Sequence, residues 1–131
     1  MIQGLLLLVL LQPASSIQEG FQSLNPDIWS TFISREHTVL VSLPPADISD
    51  LDLGRDQLLV LIRELSRSGK TETFTIEEYN LGNPPKGMGL YLAEWTYTSI
   101  SGVTTRQSCL IVVEQSESAW SLSEISCKSI L

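Results

Sequence analysis

From residue 69 onward the sequence takes up a period of two and holds it to the end. Apolar and polar residues alternate through four long segments, 71–80, 89–100, 103–115 and 119–130. Such alternation is the mark of strands with one buried face. The stretches between them are Gly-Asn-Pro-Pro-Lys-Gly at 82–87, Ser101-Gly102 and Glu117-Ser118, all turn-forming and short. Short connections join antiparallel neighbours. Nearly half the chain is thus committed to a meander, and cover for its buried face must come from the residues upstream.

Upstream the period is helical. Ile17, Phe21, Leu24, Ile28 and Phe32 recur at steps of four, three, four and four, interrupted by Asn25-Pro26. Asn is a good N-cap and Pro suits the first turn, so the spacing predicts two short helices, about 16–24 and 26–33. Residues 38–43 are β-branched and apolar, end at Pro44-Pro45, and predict a strand. An acidic connection, 46–53, leads to a helix over about 54–68. There Leu58, Leu59, Leu61, Ile62 and Leu65 form one stripe opposite Arg55, Asp56, Arg63, Glu64 and Arg67. Gly69 is expected to stop that helix. Helices first and a meander last predict an α+β fold, with the N-terminal helices packed on a curved, mainly antiparallel sheet.

The N-terminus is read as a targeting segment. Leu5 to Leu11 is an unbroken apolar run, followed by Gln12-Pro13-Ala14-Ser15-Ser16, and no charge of either sign precedes Glu19. A short apolar core, a Pro and small residues ending in Ala14-x-Ser16 describe a secretory signal peptide, although the usual n-region cation is missing. The expected division is signal peptide 1–16 and one domain, 17–131, exported to the periplasm or the extracellular space. The run is shorter than the roughly 20 residues a membrane span needs, so no stable membrane anchor is expected. Fifteen acids against eight bases give a net charge of −7. With cations scattered from Arg35 to Lys128, that balance argues against a nucleic-acid partner.

This order of elements resembles the nuclear transport factor 2-like, or cystatin-like, cone fold. The stretches that carry the resemblance are Ile17-Gln-Glu-Gly-Phe-Gln-Ser-Leu-Asn-Pro-Asp-Ile-Trp29, Val39-Leu-Val-Ser-Leu-Pro44, Gly54-Arg-Asp-Gln-Leu-Leu59 and Leu90-Tyr-Leu-Ala-Glu-Trp-Thr96. Within that superfamily the chain is most similar to small exported bacterial domains of unknown function. The resemblance implies a cone-shaped α+β domain, and cone domains of this kind commonly pair through their sheets. It implies no particular activity, because a fold alone does not give function.

Few residues could carry chemistry. His37 is the only histidine, with no second His or Cys near it, which falls short of a transition-metal site. Asp47, Asp50, Asp52 and Asp56 lack the order of a calcium loop; Asp52 and Asp56 suit the positive end of the following helix. The six Ser and Thr residues at 96–105 have no base to activate them, and no glycine run forms a phosphate loop. No metal and no cofactor are expected. One carboxylate, Glu94, sits mid-strand between Ala93 and Trp95. In catalytic cone folds, those resembling ketosteroid isomerase, a carboxylate in an apolar cavity acts as general base with a Tyr as oxyanion donor. Glu94 and Tyr97 have opposite strand parity, which works against that arrangement.

The remaining signals concern surfaces. Tyr91, Trp95 and Tyr97 share one strand face, and Trp120 could close a pocket from the last strand. These four are the candidate ligand-binding residues for a small apolar ligand, the alternative being that they are plain core. Strands 89–100 and 103–115 are apolar on both faces, so the face that the helices leave open needs cover, and a homodimer through the sheet would supply it. Cys109 and Cys127 each lie nine residues from Ser118. A three-residue turn sets them opposite each other for a disulfide, whereas a two-residue turn pairs Cys109 with Ser126 and leaves two thiols free. The functional expectation is an exported, non-catalytic binding or interaction module. The alternative is a cofactor-free isomerase or hydrolase-like cone enzyme using Glu94 as general base.

Overall fold

The computed structural model describes the backbone of residues 2–79, 87–116 and 119–130, and the side chains of 13–79, 87–115 and 119–130. The turn readings at 82–86 and 117–118 and the side chains of the apolar run lie outside the described residues. The elements are α1 (Ile2–Ser23), α2 (Pro26–Trp29), β1 (Val39–Leu43), a 3-10 turn at Pro44–Ala46, β2 (Ile48–Leu53), α3 (Arg55–Ser68), β3 (Gly69–Glu78), β4 (Met88–Ser99), β5 (Thr104–Ser116) and β6 (Ala119–Ile130). The strands form one six-stranded sheet in the order β2-β1-β6-β5-β4-β3. The pairings among β3, β4, β5 and β6 are antiparallel, as the short connections predict. β1 joins β6 in parallel, and β2 folds back antiparallel on β1 at the sheet edge.

Several elements differ from expectation for identifiable reasons. α1 runs through the proposed cleavage point and contains Pro13. α2 starts at Asn25-Pro26, where the Asn25 side chain accepts a bond from the Asp27 N–H, but it ends at Trp29 instead of 33. The backbone beyond it is held by other elements. Arg55 of α3 donates to the Ser30 and Ile33 carbonyls at 3.0 and 3.2 Å, and the Leu122 N–H bonds the Phe32 carbonyl at 2.8 Å. The acidic connection contains an edge strand, β2, whose carboxylates at 50 and 52 point away from the core; charges on an edge strand guard it against further pairing. Gly69 is not a left-handed helix stop, because its backbone is extended and opens β3 directly. The glycine is required by close approach: a Cβ there would lie 2.3 Å from the Thr98 carbonyl oxygen and 2.7 Å from the Tyr97 hydroxyl.

The β5–β6 register settles the cysteine alternatives by a route that neither turn length describes. Ser116 pairs with Ala119, so only two residues separate the strands, and that pairing runs on to Val113↔Leu122. A bulge at Ser123 of β6, opposite Val112 and Val113, leaves that residue unpaired and restores Cys109↔Cys127. The two cysteines face each other with Cα atoms 4.0 Å apart and form a disulfide.

α1, α2 and α3 cover one face of the sheet. The core between them includes Ile17, Phe21, Trp29, Leu58, Ile62 and Leu65 from the helices. From the strands it takes Val41, Phe74, Trp95, Ile111, Val113 and Ile125. Each of these strand residues lies on the alternate positions facing the helices, so the period-two pattern is also the burial pattern.

Candidate functional site

The inner face of the sheet carries the predicted aromatic residues. Tyr91, Ala93, Trp95 and Tyr97 all point toward the helices and are buried. Among the described residues, Tyr91, Trp95 and Tyr97 pack as core. Phe21 from α1 stacks on Phe74 with centroids 4.4 Å apart, and its ring lies 5.1 Å from Trp95 and 4.9 Å from Trp29. Trp95 contacts Tyr97 at 5.6 Å, Trp29 contacts Phe32 at 5.3 Å, and Phe32 stacks on Trp120 at 5.4 Å. One chain of rings therefore runs through the described core from Tyr97 beside α3 to Trp120 in the groove beside residues 31–37. The reason is the upstream helix stripe: Phe21 and Trp29 are large enough to occupy the space that Trp95 would otherwise offer a ligand.

The polar edges of these rings are satisfied internally. Trp29 Nε1 donates to the Gly20 carbonyl at 2.7 Å, and Trp95 Nε1 donates to Thr71 Oγ1 at 2.9 Å. Thr71 in turn donates to the Phe21 carbonyl at 2.6 Å, and the Tyr97 hydroxyl donates to the Leu65 carbonyl at 2.7 Å. Burial raises the Tyr97 pKa; burial, and secondarily the Glu78 carboxylate, raises that of Tyr91. Both phenols are held neutral, as packing groups require.

Gln107 is a residue that sequence reading missed. It is fully buried on the same inner face, opposite Trp95, and neither its Nε2 nor its Oε1 has a hydrogen-bond partner among the described residues. The signal was present, since Gln107 shares parity with Cys109, Ile111 and Val113 in an alternating strand.

Glu94 faces the other way. Its side chain is 63% exposed on the helix-free face and lies 3.4 Å from Arg106 of β5. No apolar cavity surrounds it and Tyr97 lies behind the sheet, so the general-base arrangement has no geometric basis at this residue. His37 is also exposed, and among the described residues no three metal-ligating side chains converge.

The helix-free face holds the unaccounted apolar surface. Leu90 pairs with Val112 and Leu92 with Leu110, giving a central square of four aliphatic side chains on β4 and β5. Val112 is 7% exposed and the other three are half-buried. Leu40 of β1 extends the patch beyond Glu124 of β6. Charges flank it along the strand direction. Glu114 stands beyond one end, Glu124 and Asp52 are level with Leu90 and Val112, Glu77 is level with Leu92 and Leu110, and Lys128, Arg106 and Glu94 stand toward the other end. A shallow depression of about 320 Å³ lies between Glu77, Leu92, Glu94 and Ser108. A second groove, of about 420 Å³, runs between residues 31–37 and the start of β6 and includes Trp120.

No family model matches this chain. No curated protein matches it either. Solved structures do match along nearly its whole length. A conserved protein from Planctomyces limnophilus has a TM-score of 0.71 at 12% identity, covering 94% of this chain and 96% of that one. A nuclear transport factor 2-like protein from Cytophaga hutchinsonii gives 0.65 at 10% identity, covering 93% and 96%. A protein from Exiguobacterium sibiricum, described as a calcium/calmodulin-dependent kinase II association domain, gives 0.65 at 8% identity, covering 95% and 92%. Likeness at these identities concerns the backbone, and with the helix-covered, mainly antiparallel curved sheet it establishes that this chain has the nuclear transport factor 2-like fold.

Proposed function

We propose that the chain is an exported, non-catalytic interaction module that pairs with a second copy through the helix-free face of its sheet. The carrying observation is the aliphatic square of Leu90, Leu92, Leu110 and Val112 at the centre of a face that none of the described helices covers. A second copy suits this face because the face is polar along its length. A two-fold axis across the strands near Leu92 and Leu110 sets Glu114 and Glu124 of one copy against Lys128 and the Arg106–Glu94 pair of the other. Such a contact is self-complementary, as a closed dimer requires. The similarity to a solved protein described as an association domain supports the same reading.

Export is supported by three observations. The apolar run precedes a small-residue cleavage signature. Ile17 and Phe21, immediately after the proposed cut, are core residues with 0% and 1% exposure. The Cys109–Cys127 disulfide suits an oxidising compartment. No helix among the described residues is long and apolar enough to cross a membrane.

Sedimentation equilibrium tests the pairing. The protein is expected at twice the chain mass at micromolar concentration, with an interface exceeding about 1,000 Å² in total. Leu92→Glu places a charge in the centre of the patch and is expected to weaken association at least about 30-fold, the effect of a central anchor residue. A wild-type monomer across that range, or a Leu92→Glu variant that still dimerises, would overturn the proposal. Wild-type monomer that copurifies with a bound apolar molecule would transfer the face to a ligand.

A further inference from the structure

We propose that the groove between residues 31–37 and the start of β6 is a strand-addition site for an extended peptide that brings one large apolar side chain. The inference starts from register. β1 meets β6 only from Leu40↔Glu124 onward, and the chain before it bends away at 35–37. On the side away from β5, the β6 edge over Ala119–Ser121 therefore has no described strand beside it. On this edge the Leu122 N–H bonds the Phe32 carbonyl, which shows that Leu122 presents its backbone groups outward, away from β5. Residues two apart on a strand point their N–H and C=O to the same side, and the bulge at Ser123 lies beyond this stretch. Trp120 must then present both its N–H and its C=O to the groove, and neither has a backbone partner among the described residues.

The chemistry of the groove names the occupant. An outward N–H and C=O on one strand residue, spaced for a ladder, are matched by another main chain in extended form. Next to them the half-buried Trp120 ring, stacked on Phe32, offers a flat apolar floor for one side chain. Thr31, Ser34 and Arg35 supply polar walls on the opposite side. Phe32 and Ile33 are held in place by the Arg55 and Leu122 bonds, so the slot is formed before any partner arrives. This site is separate from the helix-free face, since Trp120 has the parity of the inner face.

The test is selection of a phage-displayed random dodecapeptide library on the full chain, followed by ¹⁵N NMR of the enriched peptide, synthesised, on labelled protein. The expected result is a peptide containing a large apolar residue that shifts the Trp120 and Leu122 amides and slows exchange of the Trp120 amide at least tenfold. N-methylation of the peptide residue facing Trp120 removes one ladder bond and is expected to weaken binding about tenfold, while a side-chain-identical peptide methylated at the next residue binds as before. Failure to enrich any peptide, insensitivity to N-methylation, or shifts confined to Leu92 and Leu110 would overturn the proposal.

Discussion

Replacing Gln107 by Met is expected to stabilise the protein. Gln107 is 0% exposed, and both heteroatoms of its carboxamide lack a hydrogen-bond partner among the described residues. In the unfolded chain the same amide is bonded to water, so folding forfeits those bonds without replacing them. Burying an amide uncompensated costs about 1–3 kcal/mol on the scale set by mutational data. Met is close to Gln in length and volume and carries no such penalty, so it fills the same place opposite Trp95 and avoids opening a cavity. The expected gain is thus about 1–3 kcal/mol, read as a higher urea midpoint at unchanged m-value. Gln107→Glu serves as the opposite perturbation, because an uncompensated carboxylate at this depth is expected to destabilise the fold more as pH rises above the carboxylate range. A Gln107→Met variant destabilised by about 1 kcal/mol or more would refute the reasoning. It would mean that the amide is satisfied in solution by a bound group.

Four further outcomes follow from the same geometry. Gly69→Ala is expected to cost about 1–3 kcal/mol by overpacking, since the new methyl must displace the Thr98 carbonyl or the Tyr97 ring; chemical denaturation measures it. Arg55→Ala is expected to cost about 2 kcal/mol through the lost bonds to the Ser30 and Ile33 carbonyls, and to speed amide exchange across 30–37. The neutral forms of Tyr91 and Tyr97 are favoured in the fold, so their stabilisation is complete below the unfolded value of 10.0 and is lost as pH rises through the raised folded pKa values. Denaturant melts from pH 9 to 11 should show that loss, and Tyr91→Phe should lessen it. Thiol titration of unfolded, unreduced protein should find no free group, and reduction should cost about 3 kcal/mol for a separation of 18 residues.

The strands after Gly69 were legible because alternation and burial are the same fact in a one-sided sheet. The parity of Tyr91, Trp95 and Tyr97 was legible for that reason, and so was the opposite facing of Glu94 and Tyr97. β2 was not: Ser49, Asp50 and Asp52 carry the composition of a loop, and only pairing with β1 turns them into an edge strand. The bulge opposite Val112 and Val113 was invisible as well, because it arises from reconciling a two-residue turn with facing cysteines. Whether the inner aromatic face would be pocket or core could not be read from β4 alone. The answer lay in how Phe21 and Trp29, far upstream, stack into the same space. The open-face patch was partly legible from two-sided apolarity, whereas the lengthwise charge order required the strand order.

The pairing of two copies through the helix-free face is tested most directly by isotope-filtered NOE measurements on a mixed sample. One half of the protein carries ¹³C-labelled Leu and Val methyl groups, and the other half is unlabelled. Intermolecular cross-peaks are expected from the methyl groups of Leu90, Leu92, Leu110 and Val112, with none from core residues such as Leu58 and Val113. A dimer whose intermolecular cross-peaks arise elsewhere, or a sample with none at concentrations where the mass is that of one chain, would contradict the account.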